Sequence, residues 1–163
     1  MPAPDFGAMY EQYARDVLRF ATFLTGSRAE AEDITSETFV RAWTSAGAIR
    51  VATVKAYLFM IARNLHVDRR RELARRGALA ADPPDPAPRH DTALDRRDEL
   101  QRVLAALQAL PEIDRAAVLM RADEGLSYED IAAALGLTVA AARVKVHRAR
   151  MRLAESRSTK EGS

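Results

Sequence analysis

Residues 125–153 read GLSYEDIAAALGLTVAAARVKVHRARMRL, and the meaning of this stretch decides the rest of the chain. Ser127 is a good N-cap and Asp130, three positions on, is an imperfect capping-box partner, so a helix is predicted to start at Tyr128. Ile131, Ala134 and Leu135 share its apolar face. Gly136 supplies the left-handed residue that ends a helix, and Thr138 can cap the next one, which makes the turn very short. In the second helix Val139, Ala142, Val146, Ala149 and Leu153 recur at steps of three and four and form one narrow apolar stripe. The other faces carry Arg143, Lys145, His147, Arg148, Arg150 and Arg152, with Val144 among them. Two short helices joined by a glycine turn, the second basic on its open side, are the helix-turn-helix arrangement whose second helix enters the DNA major groove. There Lys and Arg neutralise phosphates, and Arg can also read guanine edges bidentately. For a merely solvated amphipathic helix, the cap, the turn and the one-sided charge would all have to coincide.

The 163 residues, 48% of them apolar, suffice for one ordinary domain or two small ones, and two small helical units fit best. Gly and Pro number only seven each, and Ala, Leu, Arg and Glu dominate the periodic segments, so the expected fold class is all-α. The absence of Cys excludes disulfides and thiolate zinc sites and fits a reducing cytoplasm. The start, MPAPDFGAMY, lacks the basic and apolar parts of a leader, and no apolar run approaches membrane-spanning length. A cytoplasmic protein with no direct membrane insertion is expected. The net charge of +2 says little about nucleic acid, but its distribution says more. Residues 63–76 hold six basic side chains against two acidic ones, and residues 137–163 hold seven against two. A chain that touches a polyanion in two places would look like this.

Toward the N-terminus, Phe6, Met9, Tyr10, Tyr13, Val17, Phe20, Ala21 and Leu24 keep helical spacing, and Thr25, Gly26 and Ser27 end that helix. Ser27 with Glu30 is an S-x-x-E capping box, so a second helix should run from Arg28 to about Thr44. Its residues Ile34, Thr38, Phe39, Ala42 and Trp43 can pack inward, which leaves Glu30, Glu32, Asp33, Ser36, Glu37 and Arg41 as an acidic, polar surface. After a loose segment, SAGAIRVAT, a third helix buries Val54, Leu58, Ile61 and Leu65, with Tyr57, Phe59 and Met60 partly off the stripe. It ends in an arginine cluster comprising Arg63, Arg69, Arg70, Arg71, Arg75 and Arg76, opposed by Asp68 and Glu72. Exposed rings ahead of such a cluster suit single-stranded nucleic acid, because bases stack on rings while guanidinium groups hold the backbone. Rings in the core beside solvated arginines account for the spacing equally well. Residues 77–97 lose the periodicity, gather four prolines and read as a flexible linker. From Asp98 the pattern resumes through Leu100, Val103, Leu104 and Leu107 and stops at Pro111. A further helix, residues 112–124, buries Ile113, Ala117, Val118 and Met120.

Parts needed for catalysis are missing. Glu32, Asp33 and Glu37 have no accompanying constellation, the three histidines lack metal-ligand spacing, and neither a Gly-rich phosphate loop nor a G-x-S-x-G elbow occurs. No enzyme activity, cofactor or metal is expected.

Two blocks carry a family likeness. AEDITSETFVRAW (residues 31–43) with AYLFMIARNLHVDRRR (56–71), and LPEIDRAAVLMRADEGLSYEDIAAALGL (110–137) followed by HRARMRL (147–153), resemble regions two and four of the short sigma factors of bacterial RNA polymerase, the extracytoplasmic-function (ECF) group. The resemblance implies a two-domain all-α protein: residues 1–76 binding core polymerase and the minus-ten element, a linker at 77–97, and residues 98–163 holding the minus-thirty-five duplex through the helix-turn-helix. It implies core-binding positions at Asp33, Ser36, Glu37 and Arg41, and minus-ten positions at Tyr57, Arg63, Asn64, Asp68, Arg70 and Arg71. Minus-thirty-five positions fall at Thr138, Arg143, Val144, Lys145, His147, Arg148 and Arg150, with Lys145 and Arg150 as phosphate contacts and Arg143, Val144, His147 and Arg148 reading bases. Implied partners are core RNA polymerase, promoter DNA and an anti-sigma factor. An added C-terminal regulatory domain is not expected.

The chain departs from the family pattern at several positions. Ser36 stands where Gln is usual and Tyr57 where the A-W-L motif has Trp, while Ala142, Arg143 and Val144 replace the common Val, Lys and Ser. Val144 removes a hydroxyl from the groove, so the promoter sequence does not carry over from relatives. Promoter elements about 17 base pairs apart, at about 3.4 Å per pair, lie roughly 58 Å apart. The 21 residues of the linker extend to at most about 69–76 Å, enough to bridge them. The rival reading is a helix-turn-helix transcription regulator whose first half is a sensor or dimerisation module, but that leaves AEDITSETFVRAW and ARNLHVDRRR unexplained.

Overall fold

The computed structural model describes residues 5–45, 53–77 and 94–161. Their regular structure is helical throughout, in two groups. The first group is α1 (Phe6–Thr25), α2 (Arg28–Thr44) and α3 (Val54–Arg75). Asp5 caps α1, and Gly26, at φ 74°, closes it with its N–H on the Thr22 carbonyl. Ser27 caps α2 by accepting from the Glu30 N–H. Only the serine half of the expected capping box forms, because the Ser27 N–H is taken by the Thr25 hydroxyl at 3.1 Å. Thr53 caps α3 through the Ala56 N–H. Val17, Phe20, Leu24, Ile34, Phe39, Leu58 and Phe59 fill the core between these helices, with the Phe20 and Phe59 rings stacked 4.6 Å apart.

Two expectations for this group need correction. Trp43 does not pack inward: it is 64% exposed and leans on the Phe6 ring, since α2 ends where α1 no longer covers it. Of the two readings of the α3 rings the core one holds, Tyr57 being 5% exposed and Phe59 fully buried, which corrects the exposed-ring reading. The reason is tertiary, because α3 is packed by α1 and α2 and also by a later helix, α6 (Tyr128–Leu135), so more than one stripe is covered. SAGAIRVAT lies outside the described residues except for its ends, Ser45 and Thr53.

The second group is α4 (Leu94–Gln108), α5 (Glu112–Val118), α6 (Tyr128–Leu135) and α7 (Val139–Glu161). Helix α4 begins four residues before the expected resumption at Asp98, and most of the linker expected at 77–97 lies outside the described residues. Leu100 and Val103, read as part of a buried stripe, stand 47% and 44% exposed, because only the C-terminal end of α4 is packed. The helix expected over 112–124 widens into a π-helical turn at Leu119–Asp123. Gly125, at φ 70°, then redirects the chain into α6. Ala116, Ala117, Met120, Ile131, Leu135, Ala142, Val146 and Ala149 form the core of this group.

The two groups are docked against each other. Arg115, buried, donates to the carbonyl of Leu107 at the end of α4, to that of Leu110 just beyond it, and to that of Leu24 at the end of α1, so one guanidinium satisfies terminal carbonyls of two helices. Gln108 reaches the same Leu24 carbonyl at 3.0 Å and lies over Gly26, where any Cβ would meet its side chain at 3.1–3.3 Å. Around this point, cations of the first group meet anions of the second: Arg19 with Asp123, Lys55 with Glu124 at 2.9 Å, and Arg63 with Glu112. Thr53 also donates to Asp130 at 3.3 Å. Burial raises the Glu124 carboxyl above its ordinary value, and Lys55 partly offsets that.

Candidate nucleic-acid interface

The turn between α6 and α7 forms as its residues require. Ser127 accepts from the Asp130 N–H, and Gly136, at φ 67°, directs its N–H to the Ala132 carbonyl. Thr138 accepts from the Ala141 N–H at the start of α7, so this residue is a cap as well as a candidate DNA contact. Ala142, Val146 and Ala149 seat α7 on the core, and Leu153 is half-buried.

Around the axis of α7 the candidate residues fall into three strips. Val144 and His147 lie on the outermost strip, Val144 being 58% exposed, and Met151 continues it one turn on. On one flank Arg148 and Lys145 converge on Asp114 of α5, at 3.0 Å and 3.7 Å, and the Asp114 side chain is only 1% exposed. On the other flank, toward α6, the Arg143 guanidinium lies over the Tyr128 ring, 5.2 Å from its centroid, and Arg150 is exposed nearby on the same strip. Arg148 stands away from the buried stripe, as its spacing predicts, and Asp114 also ties it to the body of the domain. Asp114, which organises that flank, was invisible to sequence reading, since an acid in a helical run looks like surface.

Along α3, Asn64, Asp68, Arg70 and Arg71 are exposed, whereas Arg63 is held by Glu112 across the seam. Arg75 and Arg76 both pair with Glu72, whose carboxyl they hold below its ordinary value. His66 is turned inward beneath this ridge, and burial, reinforced by Arg70, lowers its pKa to about 4. On α2, Asp33, Ser36 and Arg41 are exposed and Glu37 pairs with Arg41 at 3.3 Å. Val40, 53% exposed, extends this face toward an aromatic cluster of Trp43, Phe6, Tyr10 and Phe39. The sequence does not signal that apolar extension, because the helical spacing places Trp43 in the core. Among the described residues no acid, His or Cys cluster could hold a metal ion, and no helix is long and apolar enough to cross a membrane.

Against known proteins, residues 9–76 match the model of sigma-70 region 2 and residues 100–153 that of sigma-70 region 4. The chain is 39% identical over 160 residues to the ECF RNA polymerase sigma factor SigE of Mycolicibacterium smegmatis, covering 92% of this chain and 60% of that protein. It is 32% identical over 144 residues to the ECF sigma factor SigL of Mycobacterium tuberculosis, covering 86% of this chain and 81% of SigL. Among solved structures it resembles the sigma factor RpoE of Bartonella quintana in complex with the anti-sigma factor NepR, with a TM-score of 0.79, 28% identity, and coverage of 94% of this chain and 97% of that one. A two-part helical chain with region two ahead of a region-four helix-turn-helix defines a class of transcription initiation proteins. The chain belongs to the ECF sigma factors of the sigma-70 family.

Proposed function

We propose that this chain is the promoter-specificity subunit of a bacterial RNA polymerase, acting without enzymatic activity or cofactor of its own in the cytoplasm, where the polymerase works. The outward face of α2, with Asp33, Ser36, Glu37 and Arg41, docks on the core enzyme. Arg63, Asn64, Asp68, Arg70 and Arg71 of α3 hold and help open the minus-ten DNA. Tyr57 drops out of that set because its ring is buried. Thr138, Arg143, Val144, Lys145, His147, Arg148 and Arg150 meet the minus-thirty-five duplex, with residues 1–76 and 98–163 as the two working domains and 77–97 bridging them.

The observation that carries this reading is the presence, on one chain and in this order, of the region-two helices with their acidic and aromatic α2 face and of the region-four helix-turn-helix. An anti-sigma partner is part of the proposal: RpoE of Bartonella quintana was solved with its anti-sigma factor NepR, and CnrH, which this chain resembles at a TM-score of 0.69 and 25% identity, with the cytosolic domain of CnrY. Run-off transcription from genomic fragments with sigma-free core polymerase tests the reading. Added protein should yield discrete promoter-specific transcripts. DNA binding with no such transcript would favour a helix-turn-helix regulator instead.

A further inference from the structure

Tyr128 opens α6 with its ring half-buried, and two guanidinium groups lie over it: Arg121 from the π-helical turn at 4.3 Å from the ring centroid and Arg143 from α7 at 5.2 Å. Arg121 is fixed from behind, since its Nη1 donates to the Leu126 carbonyl at 2.9 Å. Among the described residues neither arginine pairs with a carboxylate, and the ring attracts both guanidinium groups at the edge of the helix-turn-helix. This contrasts with the opposite flank of α7, where Arg148 and Lys145 are held by a buried carboxylate.

An arginine side chain free to sample its rotamers loses that freedom when it docks on a base, whereas one already laid against a flat ring has less to lose. A ring can do this without neutralising the charge, so the guanidinium keeps its donors for DNA. A carboxylate in the same place would compete with the base or phosphate for those donors. Arg143 lies in the N-terminal part of α7, the part of a recognition helix that reaches base edges.

We propose that Tyr128 is a positioning residue that sets the direction of Arg143 and thereby the sharpness of base preference at one position of the minus-thirty-five element. The inference rests on the reading of α7 as the groove-entering helix. Polymerase holoenzyme reconstituted with the full chain, or with each variant, is used to select from a randomised duplex pool, and the bound DNA is sequenced. Arg143→Ala identifies the base position, where preference should fall by about tenfold. Tyr128→Leu, which keeps apolar volume but removes the ring, should blunt preference at that same position by about three- to tenfold and leave the others unchanged. Tyr128→Phe, which keeps the ring face, should restore it. Melting curves of all variants check folding, and Tyr128→Met replaces the leucine variant if that one melts early.

A Tyr128→Leu protein that keeps full preference at the Arg143 position, or that weakens all sequences equally, overturns the positioning role while leaving the groove reading intact. An Arg143→Ala protein that alters no position, while Arg148→Ala does, removes the role of Arg143 and this inference with it but leaves α7 in the groove. If no α7 variant alters any position, the groove reading itself fails.

Discussion

Arg63 of the first domain and Glu112 of the second form a two-point ion pair across the seam, the Arg63 Nε lying 3.0 Å from each carboxylate oxygen. Both side chains are largely covered, at 17% and 26% exposure. Arg63 leads the arginines proposed to hold the minus-ten strand, so in the docked arrangement a carboxylate stands where a phosphate would. Removing one partner of a part-buried pair of this kind should cost about 1–2 kcal/mol, between the exposed and fully buried cases. Glu112→Gln should therefore raise the affinity of the free chain for a labelled single-stranded oligonucleotide several-fold in anisotropy titrations, and Arg63→Ala should lower it. Unchanged affinity in Glu112→Gln would mean that the seam does not compete with the strand.

His66 should make the chain acid-sensitive. Its pKa is depressed from 6.5 to about 4 by burial first, then by the positive charge of Arg70, with Arg115 and Arg63 acting the same way and Glu112 opposing. Between those values the unfolded chain binds a proton that the folded chain refuses, so His66 costs stability as pH falls from 6.5 toward 4, approaching about 3 kcal/mol. Glu124, with its raised pKa, acts in the opposite sense in acid, so the measurement is the difference between wild type and His66→Gln. Denaturant titrations should show wild type losing ground to the variant as pH drops through that window.

Arg148 and Lys145 share Asp114 but should behave differently when removed. Arg148→Ala should cost about 1–3 kcal/mol on the cognate minus-thirty-five duplex and relax preference at one position. It should also lower the melting temperature, because among the described residues buried Asp114 then keeps just the Lys145 ammonium, at 3.7 Å. Lys145→Ala should weaken all sequences alike and reduce the salt slope by about one unit. Identical behaviour of the two across a panel of sites and salts would contradict the division of roles.

Trp43 is exposed beside the polar face of α2 and should matter to assembly more than to folding. Trp43→Ala is expected to change stability by less than about 1 kcal/mol while weakening core-polymerase binding by about 2 kcal/mol or more. Competition of labelled wild-type protein for core enzyme measures the second, and thermal melting the first.

Much of this molecule was legible in its sequence, and the illegible parts share a cause. Ser27, Ser127, Gly136 and Thr138 mark helix ends through local hydrogen bonds, so the start of α2, the bounds of α6 and the start of α7 are read directly, whereas Thr53, which caps α3, lies in a stretch that reads only as loose. The arginine-rich end of α3 and the basic faces of α7 followed from charge and period. Contacts between distant segments could not be read. Tyr57 is buried in a helix that packs on three others, Asp114 is a buried acid satisfied from 34 residues away, and the Arg63–Glu112 pair exists because two domains dock. Local pattern is blind to all three, so neither the burial of Tyr57 nor the anchoring of Arg148 by Asp114 can be read from it.

Opening of promoter DNA separates a sigma factor from a regulator, because a regulator can bind duplex but cannot by itself make sigma-free core polymerase melt it. Permanganate reactivity of thymines near the minus-ten element should be measured on a promoter found by run-off transcription, with core enzyme alone, core plus the full chain, and core plus residues 98–163. Reactive thymines should appear only with the full chain and core together, and fewer of them when Arg70 and Arg71 are replaced by Ala. Duplex that is bound by the full chain in the presence of core but stays unreactive would contradict the sigma-factor reading.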